Sequence, residues 1–321
     1  MSSIIIYVSS RNNYDMLSGE VLKNINMEGF EFINIDDKSS SEELQKGKRI
    51  CQENNIVFLE NESRGVQHAT NTLVKFIKKN RPNCKWVICF QHDCYPITKN
   101  FFSRISKLID DGKLDNFGTV GFNRIDMGKH TPGAYQDWLD NKEPLGNLGL
   151  AHLSILDETK RWIQPNRNSW LVNNRDWWKP LSIEISAWTA IGINVDLWER
   201  WIEPTDEYHF HLWAPDVSMQ FLYHNFHNLV LPKLYLMNKQ ELKENYGIEA
   251  NSAHGSQKGN EYHFGHYQPS HDIWKERWGW DYQIPNTILD VRQSYEGTLI
   301  NEFISHDTYS GPLKTFDLGE Y

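Results

Sequence analysis

The stretch of sequence that indicates the fold most clearly is an apolar run followed directly by polar residues: Trp86-Val87-Ile88-Cys89-Phe90, then Gln91-His92-Asp93-Cys94-Tyr95-Pro96. A short apolar run that ends before a proline is typical of a fully buried strand. In open parallel sheets, ligands bind beyond the carboxyl ends of the strands. The sequence therefore predicts that Asp93 lies at the ligand-binding edge of a sheet.

The residues on either side of this strand repeat an alternation of short apolar strands and amphipathic helices. Further strands are predicted at residues 4–8, 30–35, 56–59 and 119–122, with helical spacing of apolar residues between them. This alternation is typical of an α/β fold, Rossmann-like, with a mixed, mostly parallel sheet flanked by helices. We expect the residues just after Ile35, Leu59 and Phe90 to share one edge of that sheet.

The second half of the sequence is less regular. Residues 126–180 contain Gly, Pro, Asn and Trp without a sustained period, which is typical of a long recognition loop. Helices are predicted at residues 195–201 and 217–226, the latter beginning after Pro215, and a late strand at 230–236. The residues after 285 form a mixed tail.

Composition excludes several classes of protein. The 321 residues carry a net charge of −9, which argues against nucleic acid as a partner. No apolar stretch approaches the ~20 residues of a transmembrane segment, and the first residues do not resemble a signal peptide. We therefore expect a cytoplasmic protein, with peripheral attachment at the inner membrane face left open. The four cysteines are expected to be reduced thiols, because their spacing fits neither a zinc site nor a disulfide framework.

Nucleotide-binding motifs of the common kinds are absent. There is neither a G-x-G-x-x-G after the first strand nor a G-x-x-x-x-G-K-[ST] anywhere, which excludes dehydrogenases and kinases of those types. The predicted edge instead offers carboxylates after two strands, at Asp36 and Asp93. One or two carboxylates together with substrate phosphates are enough to hold Mg2+ or Mn2+. The chain also has 13 Trp, 14 Tyr and 15 Phe, a surplus that suits a groove for sugars.

The order of short polar motifs along the chain resembles that of the family 2 glycosyltransferases of the GT-A fold. The resemblance spans about residues 4–280 and is carried by these motifs: Asp36-Asp37-Lys38-Ser39, Ser63-Arg64-Gly65 with Asn71, Gln91-His92-Asp93, Pro215-Asp216-Val217-Ser218, His254-Gly255-Ser256 and Trp274-Lys275-Glu276-Arg277-Trp278-Gly279. It implies transfer of a sugar from a nucleotide-sugar donor, with UDP- or dTDP-sugars favoured, to a carbohydrate, glycolipid or other hydroxyl acceptor. It also implies a divalent metal, Mn2+ or Mg2+.

The resemblance implies a role for each matching residue. The nucleotide of the donor is expected to contact Asp36, Arg64, Gln91, His92 and Asp93. The metal is expected on Asp93 and His254, the diphosphate on Arg277, and the sugar or acceptor against Trp178 and Trp188. Asp216 is expected to be the general base of an inverting transfer. Gln91 departs from the family pattern, which usually has an acidic residue there, and removes one negative charge from the metal site.

The resemblance also implies a division of the chain. A GT-A domain is expected over residues 1–284, with a nucleotide-sugar half at 1–125 and an acceptor half at 126–284. The remaining residues, 285–321, would be a C-terminal tail.

Several other interpretations remain open at this stage. Asp36, Asp93 and Asp216 are all residue types that also cap helices or form turns. The histidine pairs His209/His211 and His224/His227 have spacings that also occur at zinc sites. A non-catalytic carbohydrate-binding protein on a GT-A frame is the main alternative function, and a glycoside hydrolase using Asp93 and Asp216 is a third.

Overall fold

The structure is a computed structural model, and it describes residues 2–92, 94–127, 148–150, 155–156, 162–163, 180–183, 190–205, 207–208, 212–239, 270–278 and 316–321. At its centre lies one sheet of ten strands. The strands are β1 (Ile4–Ser10), β2 (Glu31–Asp36), β3 (Val57–Glu60), β4 (Trp86–Phe90), β5 (Cys94–Pro96), β6 (Phe117–Met127), β7 (Leu148–Leu150), β10 (Leu181–Ile183), β11 (Ala190–Asn194) and β12 (His227–Lys239); β8 (Ile155–Leu156) and β9 (Trp162–Ile163) form a separate pair.

The strand order is β10-β12-β6-β11-β4-β1-β2-β3, with β5 added to β12 and β7 to β6. Strands β3, β2, β1 and β4 are parallel, and β11 runs antiparallel to both β4 and β6. Because β12 is parallel to β6, these two strands run in the same direction as β1 to β4. The mixed, mostly parallel α/β sheet predicted from the sequence is therefore confirmed.

Seven helical segments of the described residues flank the sheet. The first, α1, is made of three consecutive pieces with a π-helical middle: Tyr14–Met16, Leu17–Val21 and Leu22–Asn24. The others are α2 (Ser41–Glu53), α3 (Val66–Asn80), α4 (Phe101–Asp110), α5 (Val195–Trp201), α6 (Trp213–Tyr223) and α7 (residues 270–278). No helix of these described residues has the length and apolar character needed to cross a bilayer.

Alternating side chains of the central strands build two separate hydrophobic layers. On β1, Ile5 and Tyr7 face the layer under α3, α5, α6 and α7. Ile4, Ile6 and Val8 face the layer under α1, α2 and α4, to which Leu318 and Tyr321 also belong. Because a strand's side chains alternate between faces, this sequence buries both sides of the sheet, as a parallel sheet requires.

Several element boundaries differ from the sequence-based prediction, among them those of α6 and β6. Helix α6 ends at Tyr223 instead of residue 226, because Asn225 adopts a left-handed φ of 65° and the chain turns into β12. Strand β6 continues to Met127, paired with β12 as far as Lys239. The predicted division of the chain at residue 125 falls inside this strand, so one sheet contains strands from both predicted halves.

Candidate active site

The carboxyl ends of β1, β2 and β3 meet at one edge of the sheet, and backbone hydrogen bonds tie their loops together. The amide of Asp37 donates to the carbonyl of Ser10 at 2.8 Å, and the amide of Asn61 donates to the carbonyl of Asp36 at 2.9 Å. The loop after β4 joins them through His92. The shared edge expected from the sequence is therefore present.

Asp37 lies at this edge with one of its two carboxylate oxygens held by hydrogen bonds. Its Oδ1 accepts hydrogen bonds from Nδ2 of Asn61 and from the amide of Gly65, both at 2.8 Å. Burial raises the pKa of Asp37, whereas the two hydrogen bonds and the positive charges of Arg11 and Arg64 oppose that rise. Oδ2 of Asp37 has no hydrogen-bond partner among the described residues, so this oxygen is available to a ligand.

Gly65 is required at its position by its backbone conformation. Its φ of 105° is one that residues with a side chain rarely adopt. This conformation turns the chain from β3 into α3 while directing the Gly65 amide at Asp37.

Asp36 occupies a structural position. One oxygen of its carboxylate accepts from the hydroxyl of Tyr14 at 2.7 Å, and the other accepts from the amide of Ser39 at 3.1 Å. The side chain is buried, with 3% of its surface exposed. Both oxygens therefore already hold α1 and the loop before α2. The sequence analysis had left a structural role of this kind open beside nucleotide contact.

His92 is held at the edge by Ser10. Its Nε2 lies 2.9 Å from Oγ of Ser10, and this hydroxyl donates its single hydrogen to Oδ1 of Asn34 at 2.5 Å. His92 must therefore carry a hydrogen on Nε2. Gln91 precedes it, and its carbonyl accepts from the amide of Cys94 at 3.2 Å, which closes a turn directly after β4.

Asp216 lies in α6, fully buried, at the centre of a ring of hydrogen-bond donors. Oδ2 accepts from Nε2 of Gln67 at 3.0 Å and from Nε2 of Gln220 at 2.8 Å. Oδ1 accepts from Nε1 of Trp278 at 2.8 Å and lies 3.3 Å from Nε of Arg277. Burial raises the pKa of Asp216, and Arg277 and the three neutral donors oppose that rise. The structure thus brings together two predicted site residues, Asp216 and Arg277.

The two glutamine amides around Asp216 also fix the loop after α5. Oε1 of Gln67 accepts from the amide of Thr205 at 2.9 Å, and Oε1 of Gln220 accepts from the amide of Glu203 at 2.8 Å. Gln67 follows Gly65 by two residues, so the same helical turn contacts both Asp37 and Asp216. The first turn of α3 therefore links the ion pair of Asp216 with Arg277 to the carboxylate of Asp37.

Four of the predicted site residues, Asp93, His254, Trp178 and Trp188, lie outside the described residues, as do His209 and His211. Of the other predicted histidine pair, His224 stacks on Trp201 with 4.5 Å between ring centroids, and His227 begins β12. The sequence predicted a helix through residue 226, which would have placed His224 and His227 about one turn apart; this is wrong, because α6 ends at Tyr223, before both.

The described residues do not form a metal site by themselves. Within the ranges given above, no three His, Cys, Asp or Glu side chains are grouped to hold a metal ion. The oxygens of Asp36 and Asp216 are already occupied by donors. The metal ligands that the resemblance implies, Asp93 and His254, both lie outside the described residues.

Sequence reasoning missed Asp37, Gln67 and Gln220 as site residues. Gln220 follows Asp216 by four residues, so the two share a helix face, and that spacing is a signal readable from the sequence. No comparable signal exists for Gln67, because it reaches Asp216 across 149 positions of the chain.

Comparison with solved structures supports the fold. The chain matches the crystal structure of GalNAc-T7 with UDP, GalNAc and Mn2+ at a TM-score of 0.51 and 12% identity, covering 96% of this chain and 57% of that one. Weaker matches are the mannosyltransferase PcManGT from Pyrobaculum calidifontis in complex with GDP-Man and Mn2+ (TM-score 0.44, 13% identity, 74% and 56% covered) and S. aureus TarS (TM-score 0.43, 12% identity, 87% and 44% covered).

Only the first of these scores exceeds 0.5, and the chain spans little more than half the length of that protein. No protein-family model and no curated protein matches this sequence. The likeness therefore bears on architecture, and together with the sheet order and the position of the site it establishes that this chain has the GT-A fold.

Proposed function

We propose that this protein is a glycosyltransferase that moves a sugar from a nucleoside-diphosphate donor to a hydroxyl acceptor. The observation that carries the proposal is the carboxyl edge of a GT-A sheet. There Oδ2 of Asp37 has no hydrogen-bond partner among the described residues, while the Gly65 amide at the start of α3 donates to Oδ1. The guanidinium of Arg277 pairs with Asp216, which accepts a hydrogen bond from Gln67 of the same helix. A carboxylate acceptor and a cation at one edge match the hydroxyl or N–H groups and the phosphates of a nucleotide.

In this proposal, Asp37 takes the nucleotide-binding role that the sequence assigned to Asp36. Its free Oδ2 would accept a hydrogen bond from the ribose or the base, while Asn61 and Gly65 hold Oδ1. Arg64 lies close enough to influence Asp37 electrostatically and would contact the same part of the donor. Gln91 and His92 would form the adjacent wall.

Arg277 would bind the departing diphosphate. Displacing a nucleoside diphosphate from an anomeric carbon requires neutralisation of charge on the leaving oxygens. A divalent cation, Mn2+ or Mg2+ on Asp93 and His254, would supply further positive charge there. GalNAc-T7 was solved with UDP and Mn2+, which supports testing UDP-sugars with manganese first.

The proposed contacts with the acceptor are inferred from the sequence alone. Trp178 and Trp188 remain the proposed sugar-contacting walls, and a carbohydrate or glycolipid the proposed acceptor. The role of Asp216 as general base, and with it an inverting outcome, requires one of its oxygens to exchange a present donor for the acceptor hydroxyl. That role stays a prediction.

Turnover of nucleotide sugars tests the proposal. The protein is incubated with UDP-, dTDP- and GDP-sugars, with and without Mn2+, and nucleoside diphosphate release is measured by chromatography. We expect release from one class of donor that requires metal and is lost in Asp93→Ala. Absence of release from every donor, together with binding of glycans, would instead favour a carbohydrate-binding protein without turnover.

A further inference from the structure

We propose that Asp216 is a positioning residue that holds Arg277 in place for the donor diphosphate, and that it does not accept the acceptor's proton. This inference rests on the proposed function, because it assigns Arg277 a phosphate ligand. It differs from the sequence-based role of Asp216, which would place its carboxylate against the acceptor hydroxyl.

Each hydrogen-bond or ion-pair partner of the Asp216 carboxylate among the described residues is a donor. The amide groups of Gln67 and Gln220, the indole N–H of Trp278 and the guanidinium of Arg277 have no acceptor atom facing it. The glutamine amides cannot flip freely, because their oxygens accept from backbone amides of the 203–205 loop. Protonation of Asp216 would set an O–H against one of these donors, so the donors favour the anion and oppose the burial that raises the pKa of this carboxyl group.

Asp216 is also inaccessible to an acceptor. Asp216 has 0% of its surface exposed, and both oxygens are in use. A general base must come within hydrogen-bond reach of the hydroxyl that it deprotonates. The Arg277 side chain, in contrast, is 24% exposed and lies at the boundary between Asp216 and solvent.

The geometry of Arg277 suits it to bind phosphate. Its Nε pairs with Asp216, and its guanidinium lies 5.7 Å from the ring centroid of Trp278. Its two terminal amino groups have no partner among the described residues. A guanidinium anchored through Nε while both amino groups remain available is suited to bidentate contact with phosphate oxygens. Asp216 and Trp278 would thus fix the direction in which Arg277 presents these groups.

The test compares binding of a nucleoside diphosphate with that of its monophosphate, which lacks the phosphate that Arg277 would contact. Titration calorimetry is performed with UDP and UMP, or with GDP and GMP where the wild type prefers GDP, each with MnCl2. We expect Asp216→Asn and Arg277→Gln each to weaken diphosphate binding by about 10- to 100-fold and to change monophosphate binding little. Asp196→Asn, which removes a half-exposed carboxylate paired with Lys78, is the matched control and should bind as the wild type does.

The double variant Asp216→Asn/Arg277→Gln keeps the test decisive even if Asp216→Asn alone fails to fold, because removing both members of an ion pair is tolerated better than removing one. If Asp216 acts through Arg277, the double variant binds UDP no more weakly than Arg277→Gln does. A further, multiplicative loss in the double variant would overturn the inference. Normal UDP binding by Asp216→Asn beside weak binding by Arg277→Gln would also overturn it, as would an equal loss for UMP. If the wild type binds no nucleoside diphosphate at all, it is the proposed function that fails.

Discussion

Gly118 lies on β6 directly beneath the ring of Phe221 in α6. A Cβ added at Gly118 would lie 2.2 Å from Cγ of that ring, which is far inside van der Waals contact. We expect Gly118→Ala to lower the free energy of unfolding by about 1–3 kcal/mol, because α6 would have to move away from the sheet.

Urea denaturation measures this loss, with Gly29→Ala as the control. A Cβ at Gly29 meets nothing within 4 Å, and only its φ of 83° opposes the substitution. Gly29→Ala should therefore cost only about 1 kcal/mol. Equal losses in the two variants would contradict the packing described for α6.

The neighbouring carboxylates Asp36 and Asp37 should respond differently to the same substitution. Asp37→Asn is expected to weaken nucleoside-diphosphate binding by about 10-fold or more, since a charged acceptor of a ligand hydrogen bond is lost. Asp36→Asn should mainly lower the melting temperature, because the amide replaces an oxygen that accepts from Tyr14 or Ser39. Titration calorimetry measures nucleoside-diphosphate binding by both variants, and thermal unfolding measures their melting temperatures. Weak binding by Asp36→Asn beside normal binding by Asp37→Asn would instead make Asp36 the nucleotide contact.

The resemblance assigned the nucleotide contact to Asp36, whereas we propose Asp37 for that contact. The apolar run predicts that β2 ends at Ile35, and the strand continues through Asp36. The edge of the sheet was predictable from Ile35, Leu59 and Phe90. The hydrogen bonds from Tyr14 and Ser39 that distinguish Asp36 from Asp37 have no signal in the sequence, because they depend on how α1 and the following loop pack.

At the scale of single elements, the start of α5 depends on Asn194. Its Oδ1 accepts from the amides of Asp196 and Leu197, both at 3.1 Å, and its Nδ2 donates to the carbonyl of Phe117. We expect Asn194→Ala to destabilise the protein by about 1–2 kcal/mol, as measured by urea denaturation. Ser40→Ala removes the longer, 3.4 Å cap of α2 and should cost less. A larger loss in Ser40→Ala would contradict this ranking.

The positions of single helices were largely predictable from the sequence, whereas the pairing of β4 with β11 was not. The spacing of apolar residues correctly predicted α3, α4 and α5 to within a few residues, because each has a continuous buried face. The antiparallel insertion of β11 between β4 and β6 has no local signal, since it joins residues about a hundred positions apart. The same holds for the contacts of α7 with Asp216, which depend on long-range packing.

At the scale of the whole molecule, the four cysteines report on the integrity of both hydrophobic layers. All four are buried and none is in a disulfide, which agrees with the reduced thiols predicted from the sequence. Burial raises the pKa of Cys51, Cys84 and Cys89 from 9.0 to about 12. We expect negligible reaction of the native protein with iodoacetamide at pH 8, and modification of all four thiols after unfolding in urea, as counted by mass spectrometry.

The same thiols make stability depend on pH in the alkaline range. The unfolded chain loses thiol protons above about pH 9, whereas the folded chain retains them until about pH 12. The free energy of unfolding contributed by these groups is therefore complete below pH 9 and decreases as the pH rises from 9 towards 12. Replacing Cys84 and Cys89 by Ala should reduce this slope; an unchanged slope would contradict the assignment.

Binding of a nucleoside diphosphate at the carboxyl edge of the GT-A sheet is tested most directly by thermal unfolding. The melting temperature is measured with UDP, dTDP, GDP, CDP and CMP, each with and without Mn2+ or Mg2+, because a ligand that binds only the folded state raises it. We expect a metal-dependent rise with one nucleoside diphosphate that is lost in Asp93→Ala and reduced in Asp37→Asn. Unchanged melting temperatures with every nucleotide, beside a rise with glycans, would contradict it.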